Sequence, residues 1–217
     1  MITLKEPLTS ARVELVDQAP GAVPNQVSDE DLELVEQCAQ QLVLEHHAFR
    51  ADQHHTPANA LVHERTTGPE IWEQSGGRLD VFVDYAGSGG SFTGVSRFLR
   101  SKSDAIRCDL VEPAAAAVLA GEVPTNVHHK IQGGDYAMEL PILNRALVTD
   151  YLRVTDVEAM NAVHLPASEE AIFAGFSSGA NLAAALQLLS TREKSQTIAF
   201  LICDSGLKYI STDFWDK

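Results

Sequence analysis

The chain has 217 residues, of which 45% are hydrophobic and 21% charged, and its formal net charge is −14. This composition is ordinary for a globular protein with a packed core. The acidic balance excludes nucleic acid or an anionic membrane surface as the main partner, because no cationic field is available to hold phosphates. It leaves room for one small phosphate group, since a few backbone amides can bind such a group locally.

The N-terminal part predicts one strand and one helix. Alternating apolar residues over 12–16 predict a short strand, and Pro20, Gly21 and Pro24 then interrupt the chain. Apolar residues at helical spacing over 29–45 predict an amphipathic helix whose first turn is acidic. An internal boundary is predicted near residues 46–50.

From about residue 48 the pattern alternates between strands and helices. Strands are predicted over 79–85, 106–111, 151–154 and 197–203, and the last is a continuous apolar run typical of a strand covered on both faces. Pro166 is predicted to end or kink the helix that contains it, and Ser177 is predicted to cap the alanine-rich helix 177–189. The alternation predicts an α/β fold with a mainly parallel sheet.

The segment Gly87-Ser88-Gly89-Gly90-Ser91, here called the glycine turn, lies between a predicted strand and a predicted helix. Such a turn collects backbone N–H groups at a helix start, so it predicts an anion site; a flexible loop is the alternative. Phe92 occupies the third glycine position of a dinucleotide motif, and Val95 occupies the lysine position of a nucleotide P-loop. A single phosphate group is therefore the best occupant.

Two further residue types bear on cofactor and location. The eight histidines include adjacent pairs, but none has a cysteine or carboxylate partner at metal-ligand spacing, so no metal is predicted. The odd number of cysteines, each in an apolar run, indicates buried thiols in a reducing compartment. With neither a signal peptide nor a membrane span in the sequence, we expect a cytoplasmic protein.

Five motifs, in order, resemble the pyridoxal-phosphate (PLP) cysteine synthase and cystathionine β-synthase family, over roughly residues 48–215. They are HERTTGPEIWE from His63, the glycine turn, HKIQGG from His129, GFSSGA from Gly175 and DSGLKYIST from Asp204. The sequences of the later motifs resemble most the cysteine-synthase-2-like branch of the family. The resemblance implies a three-layer sheet of the tryptophan-synthase-β-like kind, which is PLP fold type II.

The resemblance also implies roles for matching residues. The glycine turn would hold the PLP phosphate through Gly87, Ser88, Gly89, Gly90 and Ser91. Ser205 would hydrogen-bond the pyridine nitrogen, where a neutral partner suits β-elimination. Gln53 would help to position the substrate carboxylate, and Gly133 and Gly134 would border the entrance.

Family members carry their Schiff-base lysine and a substrate loop upstream of the position of Gln53, where this sequence has no such segment. None of the six lysines has the family's sequence setting, so no catalytic residue is predicted. We therefore expect an N-terminally truncated member, with 1–47 as a remnant of the smaller domain and 48–217 as the PLP-binding large domain. PLP binding would be non-covalent and weak.

Three functions stay open at this point. The first is the family reaction on an amino-acid substrate, either β-replacement on O-acetylserine or β-elimination of cysteine-like amino acids, in an impaired form. The second is a non-catalytic protein that forms a homodimer or pairs with and regulates a full-length homologue. The third is a truncated product with no settled role.

Overall fold

The computed structural model describes residues 12–21, 29–127, 129–131, 134, 137–191 and 195–210. The chain divides into two compact units, residues 1–51 and 52–217. In the first unit, the predicted helix is confirmed as α1 (Asp29–His46). The predicted strand over 12–16 is wrong: residues 12–19 have no regular structure, and Val13 and Leu15 are exposed. Assigning this unit to a smaller domain stays a prediction.

The second unit is built on a four-stranded parallel sheet. Its strands are β1 (Val81–Tyr85), β2 (Arg107–Pro113), β3 (Asp150–Val154) and β4 (Ile198–Phe200), in the order β3-β2-β1-β4. The helices of this unit are α2 (Pro57–Arg65), α3 (Thr67–Gln74), α4 (Gly90–Lys102), α5 (Asp156–Glu169) and α6 (Phe176–Thr191). Short 3-10 helices cover Arg145–Leu147 and Gly206–Tyr209.

Two hydrophobic clusters pack against opposite faces of the sheet, because successive residues of a strand point to opposite sides. On one face, Val81, Val83 and Tyr85 pack with residues of α5 and α6. On the other, Phe82 and Leu110 pack with residues of α4. The predicted three-layer α/β architecture with a parallel sheet is confirmed.

Three local predictions differ from the structure. β4 is a short edge strand within the described sheet, and its residues are only half-buried, although the apolar run predicted cover on both faces. Pro166 does not end its helix: α5 continues through it to Glu169, because a proline one turn from a helix end removes only one interior hydrogen bond. The predicted kink stays a prediction. Ser177 is the second residue of α6 rather than its cap.

Parallel strands bring their carboxyl ends to one edge of the sheet, and ligands in open α/β sheets bind outside that edge. The glycine turn follows β1 there, and Cys203 to Ser205 follow the neighbouring β4. No helix in the described part of the chain is long and apolar enough to cross a bilayer.

Candidate functional site

The glycine turn is a tight connection that ends in a left-handed residue. Gly89 has φ +82° and precedes the first residue of α4, Gly90. A side chain at Gly89 would be strained and would lie 3.2 Å from the Leu143 backbone. The first N–H groups of α4 have no intrahelical acceptor and carry the positive end of the helix dipole. This arrangement can bind an anion through backbone amides.

Asn59 of α2 fastens the turn to the segment before α2. Its Nδ2 donates to the Gln53 carbonyl at 2.7 Å and to Ser88 Oγ at 2.9 Å. Gly90 leaves room for this side chain, because a Cβ there would lie 2.1 Å from Asn59 Oδ1. The Gln53 side chain is exposed, so the structure brings Gln53 to the turn through its backbone.

A second segment lies directly against the turn. A Cβ on Gly134 would be 2.5 Å from Gly87 Cα, so the two backbones touch. The Tyr85 hydroxyl lies 3.2 Å from the Gly134 carbonyl and 3.3 Å from the Ile131 carbonyl, to which it can donate. The structure thus brings Gly134 to the turn, whereas Gly133 lies outside the described residues.

Ser205 is positioned at the end of the neighbouring strand. It forms an antiparallel bridge with Ala174, and its Oγ accepts the Leu207 N–H at 3.3 Å at the start of the 3-10 helix. Gly175 allows this approach, since a Cβ there would lie 2.1 Å from Asp204 Oδ1. Ser205 is exposed, so its hydroxyl is available to a ligand.

A buried carboxyl group lies behind the turn. Asp84, the fourth residue of β1, is 1% exposed, and its Oδ2 accepts the Ser91 hydroxyl at 2.6 Å. Within the described residues its Oδ1 has no hydrogen-bond partner. Desolvation by burial raises the pKa of Asp84 to about 7, against the smaller opposing effects of Ser91, Asn181 and the Tyr85 backbone.

A second buried carboxyl group, Glu112 of β2, is satisfied internally. Its two oxygens accept the Leu119 and Ala120 amides at 2.7 and 2.9 Å. Burial raises its pKa, although these amides oppose the shift. Glu112 therefore fixes the loop after β2 and is not free for a ligand. Across the described ranges, no group of three or more His, Cys, Asp or Glu could hold a metal ion.

Three of the six lysines belong to the described residues. Lys102 lies over the Phe98 ring in the last turn of α4, about 18 Å along the helix from the turn. Lys208 Nζ pairs with Asp204 Oδ2 at 3.4 Å. Lys130 is exposed and precedes Ile131.

The donor set fits a phosphate monoester such as that of PLP. Left-handed Gly89, the first amides of α4, and the hydroxyls of Ser88 and Ser91 all occupy one turn, and no cation is needed to hold the anion there. The Gly90 amide also donates to Ser88 Oγ at 3.4 Å.

Sequence reasoning missed the residues that support this turn: Asn59, Asp84, Tyr85 and Asn181. Asp84 had a signal, since an aspartate inside the apolar run LDVFVDY is unusual for a strand that is buried on both faces. Asn59 gave none, because its role depends on Ser88, which lies 29 residues further along the chain.

The chain matches the family described as pyridoxal-phosphate dependent enzyme over residues 8–204. It is 40% identical over 165 residues to cysteine synthase 3 of Caenorhabditis elegans, covering 76% of this chain and 48% of that protein. The chain spans about half the length of the curated relatives that it matches.

Solved structures agree with the sequence relatives. The fold resembles O-ureido-L-serine synthase with a TM-score of 0.77 at 35% identity, covering 83% of this chain and 57% of that one. It resembles O-acetylserine sulfhydrylase isoform 3 from Entamoeba histolytica with a TM-score of 0.80 at 28% identity, covering 88% and 57%. The predicted PLP fold type II is confirmed. With its parallel sheet, its glycine turn and these relatives, the chain belongs to the pyridoxal-phosphate dependent enzyme family, whose cofactor is PLP, and its homologues are cysteine synthases.

Proposed function

We propose that this chain is a cysteine synthase-like protein that binds PLP non-covalently, by its phosphate and its ring nitrogen, and that is impaired in the family reaction. That reaction would be β-replacement on O-acetylserine or β-elimination of cysteine-like amino acids. The observation that carries the proposal is the glycine turn, in which a left-handed Gly89, the first amides of α4 and two serine hydroxyls meet.

PLP, when bound, supplies an electron sink for chemistry at the α and β carbons of an amino acid. The residues of this chain would bind and orient PLP. The amides of the glycine turn bind the phosphate, and Asn59 keeps Ser88 and the Gln53 segment in place. Ser205 offers a neutral hydroxyl to the pyridine nitrogen, and Gly134 borders the site.

Impairment is proposed because none of the three described lysines has the sequence setting of the family's Schiff-base lysine. Lys102 lies at the far end of α4, the Lys208 ammonium is paired with Asp204, and Lys130 is exposed within the HKIQGG motif. General acid–base catalysis contributes about 10²–10⁴-fold, so a site without such a group would be slower by at least that factor.

A titration of the 217-residue chain with PLP and with pyridoxal tests the proposal. We expect saturable quenching of tryptophan and tyrosine fluorescence by PLP, competition by inorganic phosphate, and binding by pyridoxal that is weaker by at least about tenfold, because pyridoxal lacks the phosphate. Borohydride reduction followed by peptide mapping should give no lysine adduct that phosphate suppresses.

Equal affinity for PLP and pyridoxal would contradict the proposed phosphate site. A single lysine adduct that phosphate suppresses would instead refute the impairment and leave the phosphate site intact. Ser205→Ala provides a matched change at the ring end: it should weaken PLP and pyridoxal by the same factor, since the lost contact is not to the phosphate.

The first unit favours a second candidate function. In it, the chain is a non-catalytic protein that pairs with a second copy of itself or with a full-length homologue in the cytoplasm. Val35, Leu44 and Phe49 are 50%, 76% and 93% exposed. Apolar side chains exposed on this scale favour association. Light scattering of the purified chain should then give a dimer or larger species, and Phe49→Ser with Leu44→Ser should shift it to monomer; a monomer at all concentrations would contradict self-association.

A further inference from the structure

The hydroxyl that should serve the phosphate is already committed to a buried carboxyl group. Ser91 has one O–H, and it donates to Asp84 Oδ2 at 2.6 Å. If Asp84 is ionised, Ser91 can turn its proton to an incoming anion only by giving up its hydrogen bond to the buried carboxylate, and this bond affects the pKa of Asp84 more than Asn181 or the Tyr85 backbone does. The anion and the carboxylate would also repel each other in a region poor in water.

A proton on Asp84 removes both obstacles. The neutral carboxyl can donate to Ser91 Oγ across the same short contact, and the Ser91 hydroxyl is then free to donate to a phosphate oxygen. Asp84 Oδ1, which has no partner among the described residues, becomes the carbonyl oxygen of a neutral acid, and leaving it unpaired costs less than leaving a charge unpaired.

We infer that Asp84 is a proton-binding positioning residue of the phosphate site, and that binding of a phosphate dianion at the glycine turn is coupled to the uptake of one proton by Asp84. This inference rests on the proposed function and adds a pH dependence to it. In the step, a solvent proton bonds to Asp84, the Asp84 O–H donates to Ser91 Oγ, and Ser91 O–H donates to the phosphate; no covalent bond to the ligand is made or broken.

Among the residues that the structure describes, those in contact with Asp84 include no compensating cation. The Asp84 side chain contacts Ser91 of α4, and Asp84 pairs with Leu110 of β2 in the sheet register. From α6 it meets Asn181, whose Oδ1 is also buried and unpaired within the described chain and whose Nδ2 donates to the Leu201 carbonyl at 3.0 Å.

The segment after β4 contributes two titratable groups. Cys203 is exposed as a residue, but its Sγ lies 3.6 Å from Asn181 Nδ2, and desolvation followed by the Asp84 charge raises its pKa to about 12. Cys203 therefore keeps its proton near neutral pH. Asp204 accepts the Tyr209 hydroxyl at 2.8 Å and pairs with Lys208, so its charge is already balanced.

The test measures PLP affinity against pH for the wild-type chain and for Asp84→Asn, an isosteric neutral variant. The ratio of the two dissociation constants, wild type over variant, cancels the titration of the phosphate itself. Because burial raises the pKa of Asp84 to about 7, and one proton is taken up per PLP bound, we expect this ratio to rise about thirtyfold between pH 6 and 8.5. Asp104→Asn removes the same charge from an exposed position. For this variant the ratio of wild-type to variant dissociation constants should stay close to one at every pH.

Calorimetry of wild-type chain at pH 8, in two buffers of different ionisation enthalpy, keeps the test independent of how the variant folds. At that pH the PLP phosphate is a dianion, so proton uptake close to one per PLP bound is expected from Asp84. A flat ratio, or binding without proton uptake, overturns the inference while leaving the PLP site standing. No saturable binding by either protein at any pH overturns the proposed function and this inference together.

Discussion

Asp84 is a carboxyl group in a strand whose five residues are all buried, so its ionisation also affects folding. Its pKa is raised from an ordinary 3.8 to about 7, first by desolvation. The folded chain therefore binds more protons than the unfolded chain between those pH values. The stabilising effect of this excess is fully present below pH 4 and is lost as the pH rises through 7.

Asp84→Asn should remove this pH dependence. The shift of about three units corresponds to about 4 kcal/mol. The stability that the variant gains over wild type should therefore approach that figure at pH 8.5 and fall to about 1 kcal/mol at pH 4.5. Urea unfolding of both proteins at pH 4.5, 6.5 and 8.5 measures the difference, with Asp104→Asn as the exposed control. A stability difference that does not change with pH would contradict the raised pKa.

Asn59 is the second single residue on which the site depends, because one side chain holds two segments. Asn59→Ala removes the hydrogen bonds to the Gln53 carbonyl and to Ser88 Oγ, each worth about 1 kcal/mol. We expect PLP affinity to fall about tenfold, measured by fluorescence titration. Gln40→Ala, which removes an exposed bond within α1, should leave the affinity unchanged. If Asn59→Ala and Gln40→Ala changed PLP affinity equally, Asn59 would have no specific role in the PLP site.

At the scale of elements, α2 and α4 approach so closely that only glycine fits at their crossing. A Cβ on Gly94 would lie 2.1 Å from the Ala60 carbonyl oxygen and 2.8 Å from the Glu64 nitrogen. Both atoms belong to the α2 backbone, which cannot move aside as a side chain can. The close packing places Asn59, the neighbour of Ala60 on α2, against Gly90, which lies one turn before Gly94 on α4.

Gly94→Ala should therefore be destabilising despite the better helix propensity of alanine. Overpacking costs about 1–3 kcal/mol, and contact with the backbone places this substitution at the upper end. The loss should appear as a lower urea midpoint with an unchanged slope. Ser101→Ala on the exposed last turn of the same helix should change stability by about 0.5 kcal/mol or less. A neutral Gly94→Ala would mean that the two helices are further apart than described.

The elements that the sequence predicted well are those whose pattern is local. The apolar run that ends at Tyr85 is followed closely by the glycine turn, and both the strand and the following helix were confirmed. The strand expected at 12–16 failed because alternation defines a face but supplies no neighbour to pair with. For Asp84 the sequence carried a signal, an aspartate inside an apolar run, but its hydrogen bond to Ser91 and its contact with Asn181 of α6 could not be predicted, because Asn181 comes from far along the chain.

For the whole molecule, the two hydrophobic clusters place the folding core in one unit. All their members, buried and partly buried, lie between Ile71 and Tyr209. The first unit, residues 1–51, contributes none of them and exposes Leu15, Leu44 and Phe49. Stability and PLP binding should therefore belong to the second unit.

A chain reduced to residues 52–217 should fold cooperatively and bind PLP with an affinity close to that of the full chain, because the sheet, both clusters and the glycine turn are retained. Circular dichroism during urea unfolding and a PLP titration test this. A chain that begins at Thr67 supplies the control: it lacks α2, hence Asn59 and the surface that covers Gly94, and should lose both cooperativity and PLP binding. If the 52–217 chain fails to fold while the full chain folds, the first unit contributes to stability in a way that the separate clusters do not reveal.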